Sequence, residues 1–256
     1  MISPRKIDKP LVLYGYGKLG HLAEEIFKEL GIPIAGIMDK NKWIYSMPPR
    51  SPRNLKDISL LAVCVATEPY NQVIAPLIAA GWTDICPVWD IIEAYPEIGI
   101  GNGWFVGDLS QEDVEEMRSL VWNDMESKTA YLCFWMWYKY RKELPGYPVM
   151  EISTTLPSTL ADIRERQLPI RFDNLPYNSD IDIHCEGEEL FTIQENIIIF
   201  RKKRPEISCA CYHSRDGLWE IEKFLMDNLS DYTWTFRLMA YMGQGAYIRG
   251  IPKEKI

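Results

Sequence analysis

The sequence predicts an α/β protein, and three observations carry the prediction. Residues 11–41 read as strand, glycine loop, helix, strand and acid in one uninterrupted unit. Apolar runs of strand length recur at 60–66 and 85–88 with a helical segment between them. That alternation places strands in parallel beneath covering helices. Two further strand-like runs, 181–185 and 207–212, are separated by enough chain for a crossover helix.

The first unit is the most explicit. Leu11-Val12-Leu13-Tyr14 has the length and composition of a buried strand, and Gly15, Gly17 and Gly20 follow at G-x-G-x-x-G spacing. Leu19, Leu22, Ala23, Ile26, Phe27 and Leu30 then share one face of an amphipathic helix. Gly31 supplies a left-handed cap and Pro33 prevents the helix from resuming. A second apolar run, 34–38, ends in Asp39. Strand, turn and helix in this order are what give a glycine pattern its meaning, and residues 1–100 are expected to form a Rossmann-like parallel sheet.

The chemistry of that loop follows from its parts. Gly15 allows the tight turn, Gly17 lets the backbone approach a phosphate, and Gly20 lets helix and strand pack closely. Tyr16, Lys18 and Leu19 complete the loop, whose free N–H groups and positive dipole end favour an anion. Asp39 is placed to accept hydrogen bonds from a ribose. Nucleotide, NAD or nucleotide-sugar binding is one expectation; retention of the turn for packing alone is the other.

After it, 43–53 with Pro48, Pro49 and Pro52 reads as an irregular loop, and 73–80 as a short helix stopped by Gly81. Residues 89–95 read as a helical turn. Gly99, Gly101 and Gly103 follow no strand and open no helix, so they are expected to form a joint rather than a phosphate loop. An aromatic-rich helical linker is expected over 101–148. In it, Ser110 and Asp113 have the spacing of a capping box, and Val114, Met117 and Val121 form the buried stripe of the helix that follows. The run 131–140 (YLCFWMWYKY) has no polar face. Burial on nearly all sides is the first reading, a subunit contact or stacking platform the second. Lys139, Arg141 and Lys142 bunch at one end, which disfavours membrane-surface attachment.

From 149 to 256 a second α/β domain is expected, with a helix over 158–167, strands at 181–185 and 207–212, and a helix from 186 inward-facing at Leu190 and Ile193. Ser214 is expected to cap a helix reaching Leu229, and 232–251 to form one or two strands around Gly243-Gln244-Gly245. If the strands at 181–185 and 207–212 are parallel neighbours, their carboxyl ends share the side of the sheet where open α/β folds bind ligands. His184, Glu186 and Glu189 follow the first and His213 the second. A general base, a metal site and two ordinary buried histidines all fit these candidate catalytic residues. A thiol–imidazole metal site of Cys209, Cys211 and His213 is a remoter alternative, since structural zinc favours C-x₂₋₄-C on turns.

Composition narrows the classes. A hydrophobic fraction of 47% with 25% charged residues is that of a globular chain. The net charge of −8 argues against nonspecific nucleic-acid binding. Six cysteines without framework spacing read as reduced. Met1 to Pro10 is polar and basic, unlike a signal peptide, and no apolar run reaches transmembrane length. A cytoplasmic protein without a membrane span is the expectation.

The carboxyl part carries a family resemblance. Residues 179–190 (SDIDIHCEGEEL), 204–207 (RPEI) and 212–220 (YHSRDGLWE) resemble the carboxyl half of the FkbM-type S-adenosylmethionine-dependent methyltransferases. Glu186, Gly187, Glu189, Tyr212, His213, Leu218, Trp219 and Glu220 match that family's pattern. Thr154-Thr155-Leu156 resembles its Thr-Leu-Asp stretch, with Pro157 in place of the acid. Residues 11–100 are similar to the small domain that precedes the methyltransferase in some members. The resemblance implies a methyltransferase-like α/β domain over 149–256, but a truncated one. His184 replaces an acid of the pattern, and the family's S-adenosylmethionine loop has no counterpart between Pro145 and Asp180. Those 35 residues are too few for three strand–helix units of about 30 residues each.

Three functions are therefore expected. The first is a methyltransferase-like protein without a donor site that serves in binding or regulation. The second is an enzyme acting on a nucleotide-sugar through the amino-terminal loop, and the third an active O-methyltransferase. Each implies a small-molecule ligand. A short sheet would expose edges, so these strands are expected to extend the amino-terminal sheet or to pair in a homo-oligomer.

Overall fold

In the computed structural model, which describes residues 3–40, 42–46, 52–100, 110–144 and 159–256, the first sheet grows from β1 (Leu11–Tyr14), whose four side chains are all buried. The chain divides into two units, Met1–Gly101 with Ser153–Arg164, and Asn102–Ile152 with Glu165–Ile256. Among the described residues, no helix is long and apolar enough to cross a membrane.

In the first unit, α1 (Lys18–Glu29) leads to β2 (Ile34–Asp39), which pairs parallel to β1. Leu19, Leu22, Ala23, Ile26 and Phe27 are buried, the face that the periodicity predicts. The stretch 43–53 departs from the expected loop: β3 (Lys42–Ser46) runs antiparallel to β2, and α2 (Pro52–Ile58) begins within it. Lys40, in the left-handed region at φ 46°, turns the chain back on itself. Pro52 opens α2, where its missing N–H costs nothing. β4 (Leu60–Val63), α3 (Tyr70–Ala79), β5 (Ile85–Pro87) and α4 (Val88–Ile92) complete the unit. The strand order is β3-β2-β1-β4-β5, with all but β3 parallel. Gly99 closes a 3-10 turn at φ 72°; the remainder of the expected glycine joint, and the Thr-Thr-Leu stretch, lie outside the described residues.

The second unit opens with α5 (Gln111–Ser119). Ser110 Oγ accepts from Asp113 N at 3.0 Å, and Asp113 Oδ2 accepts from Ser110 N at 2.8 Å, a reciprocal capping box. Ser110→Ala should cost about 1 kcal/mol, measurable as a shift of the urea midpoint with unchanged slope. Met117 is buried, but Val121 is 73% exposed instead of lining the stripe. The helix stops at Ser119 and Leu120 is extended, so Val121 has left the helical face.

α6 (Met125–Tyr140) carries the aromatic run. It is buried on one face rather than nearly all round. Ser127, Ala130, Tyr131, Phe134, Trp137 and Tyr138 are buried, whereas Leu132 and Tyr140 are about half exposed. The buried face meets the strand β8 (Tyr232–Leu238): Phe236 N donates to Ser127 Oγ at 2.9 Å, and Phe236 contacts the rings of Trp122, Tyr131 and Phe134. On the other side, Lys139 lies over the Trp135 ring at 4.9 Å.

α7 (Leu160–Arg166) falls mostly in the first unit, and the second continues with β6 (Asp180–Ile183), α8 (Glu189–Lys203), β7 (Glu206–Ala210), α9 (Glu220–Asn228) and β9 (Ala246–Pro252). α8 is the crossover that joins β6 and β7 in parallel register, Ile181 opposite Ile207. β9 enters antiparallel between β7 and β8, giving the order β6-β7-β9-β8. The expected helix from Ser214 is interrupted. A 3-10 turn, Arg215–Leu218, precedes α9, and Ser214 makes no side-chain cap. Within that turn, a Cβ at Gly217 would lie 2.2 Å from the Cys211 carbonyl oxygen, so the close approach needs glycine. The four strands form a sheet of their own and do not extend the amino-terminal one.

Candidate functional site

His184 and His213 leave the carboxyl ends of β6 and β7, and the parallel register of these strands sets them side by side with ring centroids 4.7 Å apart. The turn between His184 and α8 is sharply folded. Glu186 is left-handed at φ 47° and Gly187 at φ 112°, a conformation that requires glycine at the second position. This fold swings the Glu186 carboxylate back onto the imidazoles. Its Oε1 lies 3.1 Å from His184 Nε2, and its Oε2 3.5 Å from His213 Nε2.

Glu189 begins α8 and bends back over the same turn. Its carboxylate accepts from Cys185 N and Gly187 N, both at 2.9 Å, and meets His213 Nδ1 at 2.6 Å. Burial pushes the Glu189 carboxyl up, but the facing His213 and the backbone donors prevail and hold it below its ordinary value. Burial pulls His213 down, but Glu189 and then Glu186 hold it above its ordinary value. The two are in direct contact and buried, with side-chain exposures of 1% and 3%.

All four residues singled out from the sequence, His184, Glu186, Glu189 and His213, are thus brought together. Tyr247 was not among them. The register of β9 places it opposite Ala210, from where its hydroxyl reaches His184 Nδ1 at 3.0 Å. Only the strand pairing reveals it, since the two residues are 63 positions apart in the chain. Cys209 and Cys211 are buried and reduced, and they are not part of the cluster of possible ligands that includes His213.

The glycine loop lies in the other unit and is considered by itself. Gly15 is left-handed at φ 95°, and a side chain there would strike Val65 and the Cys64 carbonyl. At Gly20 a Cβ would lie 2.1 Å from the Gly15 carbonyl oxygen. Nothing lies within 4 Å of a Cβ built on Gly17, which is exposed ahead of α1. Leu19 is buried on the helix face, and Lys18 opens the helix. Asp39 Oδ2 accepts from Tyr16 N at 3.0 Å, so one carboxylate oxygen fixes the loop's own backbone. Tyr16 in turn donates its hydroxyl to Glu24 at 2.6 Å and stacks near His21.

No family model and no curated protein matches the sequence. Among solved structures, the chain is similar to a crystal structure described as methyltransferase FkbM from Methylobacillus flagellatus KT. The two share 12% sequence identity at a TM-score of 0.50, over 97% of this chain and 90% of that one. The likeness defines a methyltransferase-like α/β fold.

Proposed function

We propose that this chain is a methyltransferase-like protein that has lost its S-adenosylmethionine site and acts in binding or regulation. Its ligand is a nucleotide or nucleotide-sugar held at the loop Gly15–Gly20. The observation that carries this reading is the open space at Gly17 beside the amino-terminal end of α1, between two glycines that the backbone cannot do without. A phosphate there would meet the N–H groups of the first turn and the positive end of a 12-residue helix that has no side-chain cap. The short interval between Pro145 and Asp180, without a donor-loop sequence, supports the loss of the methyl-donor site.

Thermal-shift and calorimetric titrations with NAD(H), a UDP-sugar and S-adenosylmethionine test the reading. Stabilisation is expected with one of the first two. Gly17→Ala should leave stability within about 0.5 kcal/mol, as its methyl meets no neighbour. The same substitution should weaken that ligand about tenfold, by filling the space a phosphate needs. A response to S-adenosylmethionine alone would sink the proposal.

A second reading is favoured by one observation. The His213–Glu189 pair at the carboxyl ends of two parallel strands is suited to proton abstraction from a hydroxyl, as an active O-methyltransferase requires. We further propose the division 1–100, 101–148 and 149–256 as the functional one. We also propose a homo-oligomer that covers an edge of the carboxyl-terminal sheet, to be tested by light scattering.

A further inference from the structure

We infer that His184, Glu186 and His213 form a binding site for a divalent first-row transition-metal ion, with zinc the foremost candidate. This site is independent of the glycine loop and of any methyl donor. Three features of the cluster point to it.

The first is spacing. One ligating atom from each of the three residues lies within 4.8 Å of the others. The Glu186 carboxylate faces both imidazoles, with Oε1 3.1 Å from His184 Nε2 and Oε2 3.5 Å from His213 Nε2, a span that a cation with metal–ligand bonds of about 2.0–2.1 Å can bridge.

The second is the arrangement behind the ligands. Histidines that bind a metal through one nitrogen almost always engage the other with a carboxylate, carbonyl or similar group, which fixes ring and tautomer. Both histidines here are held in that way. Glu189 takes His213 Nδ1 and the Tyr247 hydroxyl takes His184 Nδ1, so both Nε2 atoms turn toward Glu186. Glu189 is itself fixed by two backbone N–H groups and cannot swing away. A histidine pair buried for packing alone has no need of this convergence.

The third is charge. Glu186 and Glu189 put two carboxylates into a site where their side chains are 8% and 1% exposed. Two buried carboxylates need compensating positive charge; a protonated imidazole offsets one of them, whereas a dication held by two neutral imidazoles offsets both. The donor set is two nitrogens and an oxygen, with no thiolate, which suits zinc, iron(II), cobalt(II) or manganese(II). Three protein ligands leave a fourth position for water or for an oxygen of a small molecule.

The full chain, purified without chelator, should carry about one equivalent of metal by elemental analysis. Removal with EDTA should lower Tm by about 5 °C, and added zinc should restore it. Cobalt(II) should give visible bands of a low-symmetry nitrogen–oxygen site without thiolate charge transfer. Glu186→Gln and His184→Ala should each abolish the bands. Glu189→Gln should weaken cobalt 10–100-fold while leaving the band positions recognisable, as expected of a positioning residue. Circular dichroism checks that each variant is folded, and the wild-type response to EDTA and zinc needs no variant. A chain that holds no metal, whose Tm ignores zinc and in which cobalt keeps its aqueous spectrum, would overturn the inference. So would binding that survives in Glu186→Gln and His184→Ala. Neither result bears on nucleotide binding at Gly15–Gly20.

Discussion

Replacing Glu222 by glutamine should stabilise the chain at pH 8 and leave it unchanged at pH 4. Glu222 lies in the first turn of α9 with no exposed surface, and neither carboxyl oxygen has a hydrogen-bond partner of ordinary geometry. Burial pushes its carboxyl up to about 8, only partly offset by its own backbone N–H and the nearby Cys211 thiol. The sign follows from proton counting. Below about pH 4.3 the carboxyl is protonated in folded and unfolded chains alike. As the pH rises, the unfolded chain loses the proton first, so the folded chain binds more protons and its stability falls. The fall runs at about 1.4 kcal/mol per pH unit until the folded carboxyl ionises. At neutral pH this amounts to about 4 kcal/mol. Glutamine keeps the shape and cannot ionise, so that loss disappears. Chemical denaturation of both chains at pH 4, 6 and 8 gives curves that diverge with pH; parallel curves would refute the assignment.

Gly20→Ala should cost at least about 3 kcal/mol, the range of a severe overpacking defect. The added methyl would sit 2.1 Å from the Gly15 carbonyl oxygen and 3.0 Å from its carbon. Both are backbone atoms, held by the Gly15 N–H bond to Met38 O at 2.8 Å, so no rotamer change gives relief. Helix α1 must move away from β1, uncovering Leu22 and Ile26, which are now almost wholly buried. The contrast with Gly17→Ala makes the test sharp, since the two glycines are three residues apart and only one is crowded. A urea transition unaltered by Gly20→Ala would contradict this packing.

What could be read from the sequence follows a physical divide. Features fixed by local chemistry were legible. The strand, glycine turn and helix over 11–30 combine apolar period, turn chemistry and caps that agree with one another, and the Ser110–Asp113 box satisfies its donors within four residues. The approach of His184 to His213 was accessible because parallel strands joined by a helix leave few alternatives for where their ends lie. Features decided by distant partners were not. β3 pairs along the edge of β2, and the prolines that follow it in the sequence conceal this. The exposed back of α6 depends on which strand covers its front. Tyr247 reaches His184 only through β9, and Glu222 resembles any acid in the first turn of a helix until its burial is known.

The insertion of β9 between β7 and β8 also sets an order of events. β8 and β9 are consecutive and pair as a local antiparallel hairpin, whereas β7 keeps an open hydrogen-bonding edge until that hairpin docks on it. Closure of this sheet is governed by non-local contacts and is therefore slow compared with the helices. Because Tyr247 travels on β9, the His184 ring receives its fixing partner only at that final step. The paired imidazoles would acquire a defined orientation late in folding, so competence of the cluster would report that the whole sheet has closed.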